Sequence, residues 1–142
     1  MKVLPILLLA ALTAGCCSIF DRPGFSIYSG FEDFEVGFRL AANGDATCFI
    51  QNLVGSEVTV WDVNVFDGVD GGILCGQTVH ETLPPGESFT VDFRNCGRWV
   101  NGTRYLVKIE IDYSRQEGSK TISLTEEGTV KSTVTELKIW GD

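Results

Sequence analysis

Residues 57–67 read EVTVWDVNVFD, and the alternation of their valines changes phase halfway. Val58 and Val60 fall on one side of an extended chain, Val63 and Val65 on the other. β-Branched residues at period 2 predict a strand. The change of phase predicts either a β-bulge or a strand buried on both faces. Trp61 is in phase with Val63 and Val65, so it is expected in the core. A strand of this kind needs a sheet around it, and the neighbouring segments supply one.

Upstream, Phe34, Val36, Phe38 and Leu40 alternate with Glu35, Gly37 and Arg39. The turn ANGD follows, where Asn43-Gly44 is suited to the positive φ angles of a tight hairpin. Asp45 to Leu53 then set Ala46, Cys48 and Ile50 on one side. Downstream, DGVDGG predicts a turn and Ile73 to about Leu83 a strand. LPPGES breaks the chain, because proline fixes φ and removes a ladder donor. Phe89, Val91 and Phe93 alternate again, RNCGRWVNG reads as a loop, and Tyr105, Val107, Ile109, Ile111 and Tyr113 face inward together. RQEGSK predicts a turn into a short strand around Ile122 and Leu124. EEG predicts another, into a last strand from about Thr129 to Glu136.

About eight strands and no convincing helix after the N-terminal segment define an all-β fold. The expected architecture is an Ig-like antiparallel β-sandwich of about 7–8 strands. The run IQNLVGSEVTVWDVNVFDG followed by LPPGESFTVDF resembles the Ig-like domains of small prokaryotic lipoproteins, including the FxLYD type. The ending EEGTVKSTVTE is similar to the C-terminal sandwich of archaeal pilin-like surface proteins. The resemblance spans roughly Phe34 to Glu136 and implies a fold; it brings no active-site residue.

The N-terminus decides location. Lys2 precedes the twelve-residue apolar stretch Val3 to Ala14, the length of a signal-peptide core rather than of a spanning helix, which needs roughly twenty. Ala14-Gly15-Cys16 resembles a lipoprotein signal, in which the cysteine takes a diacylglycerol and becomes the new N-terminus. Thr13 stands where such signals carry leucine, which here is Leu12. The expected organisation is a signal peptide over residues 1–15, lipid attachment at Cys16, a tether over 16–30 and the sandwich over 31–142. Ordinary cleavage after Ala14 or Gly15, an anchor retained to Phe20, and a pilin-type signal are the rival readings. All of them export the domain, and the expected location is the extracytoplasmic face of the cell membrane.

Export gives the remaining cysteines a meaning. Outside the cytosol a cysteine pair in a small domain is more often a disulfide than a metal site. Cys75 and Cys96 lie near turn-rich segments and are expected to pair, while Cys48 sits mid-strand and reads as a buried thiol. The spacing leaves a bridge from Cys48 to either of them open.

The formal net charge is −8, and removing residues 1–15 takes away only Lys2, leaving ten bases against nineteen acids. No basic patch interrupts the acid, so nucleic acid is excluded as a partner. Zinc sites bring their ligands in close pairs, and among His80, the only histidine, and Cys48, Cys75 and Cys96 only Cys75 and His80 are near one another, so no zinc site is expected. Asp62, Asn64, Asp67 and Asp70 carry calcium-type oxygens, but DGVDGG lacks EF-hand spacing and Asp-Gly is ordinary turn chemistry. No cofactor or metal is therefore expected. There is no GxSxG elbow and no cysteine with an activating environment, so no enzyme is expected. Asn101-Gly102-Thr103 is a glycosylation sequon in an exported loop. Trp99 and Trp140 form the expected solvent-facing aromatic pair.

The sequence therefore predicts a non-enzymatic, lipid-anchored surface binding module. Its partners would be the membrane, through the N-terminal lipid or anchor, and a surface protein or glycan. The alternative is a structural, pilin-like subunit of a surface filament.

Overall fold

A computed structural model describes residues 26–27 and 30–135. The expected signal peptide over 1–15, Cys16, Cys17, most of the expected tether and residues 136–142 with Trp140 lie outside the described residues. The strands are β1 Ser26–Ile27, β2 Phe34–Leu40, β3 Ala46–Asn52, β4 Val58–Asp67, β5 Ile73–Leu83, β6 Ser88–Phe93, β7 Arg104–Glu117 and β8 Lys120–Thr133. They form two antiparallel sheets, in the orders β1-β2-β3-β6 and β5-β4-β7-β8. With β2 to β8 lettered A, B, C, C′, E, F and G, sheet A-B-E faces sheet C′-C-F-G, an Ig-like order. The tether segment contributes the two-residue edge strand β1, paired with β2.

The inward phases are those the alternation predicts. Phe34, Val36, Phe38 and Leu40 of β2 are each at most 2% exposed. They meet Val58, Val60, Val63 and Val65 of β4 and Val107, Ile109 and Ile111 of β7 in one core. All four valines of β4 are buried on the same side because the ladder slips between Val60 and Asp62, against both β5 and β7. The phase change is thus a bulge, and its cost falls on one side chain. Trp61 is 41% exposed. The expectation that it packs in the core is corrected: the bulged residue has no partner on β7 and turns away from the core.

Two turns also differ from expectation. In ANGD only Gly44 takes a positive φ, 95°. Asn43 instead accepts from the Asp45 N–H at 3.0 Å. Gly44 is required on a second ground, because a Cβ there would lie 2.5 Å from the Gly97 carbonyl. The segments expected around Ile122 and from Thr129 are one fourteen-residue strand, β8. The glycine of EEG makes no turn. Gly128 sits mid-strand beneath the Phe31 ring, where a Cβ would come within 2.4 Å of it, so it marks a close crossing of chain segments.

That crossing belongs to a strap joining the two sheets. The Asp33 N–H donates to both Glu126 carboxylate oxygens, at 2.9 and 3.2 Å. The Asp33 carboxylate accepts from the Tyr113 hydroxyl and, at 3.4 Å, from Arg115. Past β8, Thr135 exchanges backbone hydrogen bonds with Leu40 and Ala42 at 3.0 and 2.9 Å. On the opposite side of the sandwich the Cys75–Cys96 disulfide ties β5 to the loop after β6, with 5.0 Å between Cα atoms.

Two predictions arise here. Gly128→Val should destabilise by about 1–3 kcal/mol, the usual cost of overfilling a packed contact. Chemical denaturation should show much of that loss recovered when Phe31→Ala is added, since the valine then fills the space the ring vacates. If the two losses simply add, Phe31 is not the obstruction.

The second concerns pH. Burial raises the Glu126 carboxyl above its ordinary 4.5; the Asp33 charge adds to this, and backbone N–H groups of residues 32–34 oppose it. A raised folded-state pKa means that the folded chain binds this proton more tightly. The group's stabilising contribution is therefore present below 4.5 and lost as pH rises through the raised value. Unfolding midpoints measured from pH 4 upward should show wild type losing stability relative to Glu126→Gln. A wild type that gains stability relative to Glu126→Gln as pH rises would contradict the assignment.

Candidate aromatic platform on the outer face of the second sheet

The outer face of sheet β5-β4-β7-β8 carries two coupled irregularities. Between the pairs Val60–Tyr113 and Asp62–Asp112, β4 has one residue, Trp61, and β7 has none. Between Val60–Glu81 and Asp62–Thr78, that same Trp61 is opposed by two residues of β5, Val79 and His80. One extra residue on each of two adjacent strands is a pair of bulges, side by side. Val79 keeps the partly buried position against the core, and His80 takes a left-handed φ of 54°. That conformation costs roughly 1–3 kcal/mol outside glycine and collects where structure is shaped for a purpose.

The two extra residues meet. The His80 and Trp61 rings stack with centroids 4.4 Å apart and planes 19° from parallel. The Trp61 Nε1–H donates to the Ser114 hydroxyl on β7 at 2.9 Å. The indole is therefore fixed at its polar edge and against one ring, yet two-fifths of its surface meets solvent.

Register places polar rows on both sides. One row across the four strands is Thr82, Thr59, Ser114 and Ser123; the other is Thr78, Asp62, Asp112 and Thr125. The Thr78 hydroxyl donates to Asp62 Oδ1 at 2.8 Å and the Thr125 hydroxyl to Asp112 Oδ1 at 2.7 Å. These bonds orient both carboxylates. On this face the nearest basic residue is Lys108, two rows beyond, which sits 3.7 and 3.9 Å from Glu110 and Glu127 and over the Phe66 ring; Arg115, next to Ser114 in β7, reaches Asp33 on the other face.

The residues singled out from sequence are distributed differently. Cys75 and Cys96 are bonded to each other, and Cys48 is a buried free thiol whose pKa burial pushes far up. The zinc combination is thereby dispersed. Among the described residues no three His, Cys, Asp or Glu side chains group as metal ligands. Asp67 and Asp70 cap their own turn, accepting from the N–H groups of Val69 and Gly72 at 2.8 Å each. Asn101 is exposed in a turn closed by the Thr103 N–H on the Val100 carbonyl, 3.0 Å. Trp99 does not fill the solvent-facing role expected of it. Its indole is half-buried beside Tyr105, with Nε1–H donating to the Cys96 carbonyl at 2.9 Å.

The platform is what sequence reasoning missed, although the signal was there. A phase slip between Val60 and Val63 leaves Trp61 and Asp62 between two inward pairs. A bulge there expels a side chain from the core alternation, so the slip marks where the irregularity lies without saying which side chain it exposes. Comparison with protein-family models and with curated proteins finds no match.

Proposed function

We propose that this chain is an exported, lipid-anchored β-sandwich that works as a non-enzymatic binding module on the extracytoplasmic face of the cell membrane. The observation that carries the reading is the Trp61–His80 pair, which is held rigidly outward by two bulges. An aromatic surface kept exposed at the cost of strain fits contact with a partner better than it fits stability. The disulfide supports the location, because such bridges persist in oxidising compartments outside the cytosol. The resemblance to FxLYD-type lipoprotein domains and the Ala14-Gly15-Cys16 signal support the anchor. Asn101 is accessible for a glycan should the host attach one.

The test is surface labelling and fractionation of cells expressing the full chain. Wild type should be labelled from outside, partition with membranes and be released by detergent as a monomer. Cys16→Ser should abolish the membrane partition. Ladder-forming oligomers that resist detergent would overturn this reading in favour of a pilin-like filament subunit. Recovery in the cytosol would overturn export altogether.

A further inference from the structure

We infer that the Trp61–His80 platform and its two flanking rows form a binding site for a neutral pyranose unit of a polysaccharide. The inference names the ligand class of the surface module proposed above and rests on that reading.

A pyranose ring has a face of C–H groups and a rim of hydroxyls. It is met best by an aromatic surface for the face and by hydrogen-bonding groups beside that surface for the rim. Both are present here. The stacked rings supply the aromatic surface, with Trp61 41% exposed and His80 also exposed. Asp62 and Asp112 each give one oxygen to a threonine, at 2.8 and 2.7 Å. That leaves the second oxygen of each as an acceptor for a sugar hydroxyl. Thr59, Thr78 and Thr125 add hydroxyls on either side.

Preorganisation favours such a ligand. The indole is already held by Ser114 and His80, and the carboxylates by Thr78 and Thr125. Little side-chain entropy remains to be lost on binding.

Charge narrows the class. The two rows contain Asp62 and Asp112 and no Lys or Arg. They repel sulfated and uronic-acid polymers and accept a neutral sugar. Surface character argues against a protein partner as the occupant. The other large apolar side chains exposed among the described residues are Leu53, Val69, Ile73 and Val100, and none belongs to these rows. A protein interface gathers a contiguous apolar centre; here one aromatic stack is ringed by hydroxyls and carboxylates.

The experiment uses the full chain purified in detergent. Tryptophan fluorescence and calorimetry follow titration with cellotetraose, chitotetraose and mannotetraose, with heparin as the anionic probe. At least one neutral tetrasaccharide should bind with a Kd of about 1 mM or tighter and change the emission. Trp61→Ala should weaken that binding about tenfold or more. Trp61→Phe, which keeps a ring but loses the Ser114 bond, should retain most of it, and Asp62→Asn should weaken it less than Trp61→Ala. An unchanged denaturation midpoint in each variant shows that the sandwich is intact. If Trp61→Ala does not fold, His80→Ala serves in its place, with weakened binding expected.

Silence from all three sugars, binding unaffected in a folded Trp61→Ala or His80→Ala chain, or equal binding of heparin would overturn the proposal. A photo-crosslinking residue at position 123, in the flanking row beside the intact platform, separates this failure from failure of the surface-module reading on intact cells. Capture of a protein there, with no sugar bound, overturns the glycan and leaves the module standing. A chain that never reaches the surface overturns the module, whatever the titration shows.

Discussion

Phe38→Ala should lower the unfolding free energy by about 3–5 kcal/mol, the range for an aromatic truncated in a close-packed core. Phe38 is 0% exposed, stands opposite Cys48 in the β2–β3 ladder, and meets Tyr105 of the other sheet edge-to-face at 6.1 Å. The ring thus bridges the layers, and its loss leaves a void that neither sheet can close without moving its neighbour. A domain of ordinary stability has about 5–15 kcal/mol in total, so the variant should denature early in urea. The adjacent Arg39→Ala is not an equivalent control, since Arg39 has interactions of its own. Lys131→Ala on the exposed side of β8 is a better one, with an expected change within about 0.5 kcal/mol. A Phe38→Ala midpoint close to wild type would mean that β2 does not face the second sheet.

Removing the disulfide should have the next largest effect. Cys75 and Cys96 are 21 residues apart, and closing a loop of that length restricts the unfolded chain by about 3 kcal/mol. The bridge also closes one side of the sandwich. There β5 and β6 are both edge strands, joined at one end by the turn at Pro84–Gly86 and at the other by the cysteines. Cys75→Ala/Cys96→Ala, measured by denaturation against wild type under oxidising conditions, should show this loss. Reduction of wild type should reproduce most of it, and Cys48, a fully buried free thiol, should stay inaccessible to thiol reagents until unfolding. Rapid labelling of Cys48 in the folded protein would contradict its placement.

The extent to which these features were legible from the residues depends on their range. Period-2 alternation in Phe34–Leu40 and Tyr105–Tyr113 defines the inward face, because a strand with one side in the core must place every second residue there. The Cys75–Cys96 pairing was also legible, since both cysteines adjoin turns while Cys48 is mid-strand. Long-range crossings were not. Gly128 reads as a turn residue in EEG, and only the passage of Phe31 over β8 explains it. Its cause lies almost a hundred residues away in the chain. The strap Asp33–Glu126 is illegible for the same reason, since two acidic side chains announce no partner. Trp61 is the instructive case. The slip of phase was visible, but assigning the tryptophan to a side required knowing which residue the bulge expels, and β5 decides that by adding His80 opposite it.

The proposal of a lipid-anchored sandwich at the outer face of a membrane is tested most directly by one measurement. It is the mass of the N-terminal peptide of the protein purified from its native membrane. The expected peptide begins at Cys16 and carries a diacylglycerol. A peptide that retains Met1, or begins ahead of the apolar run Val3–Ala14, would contradict it and move the chain to a retained anchor or filament helix.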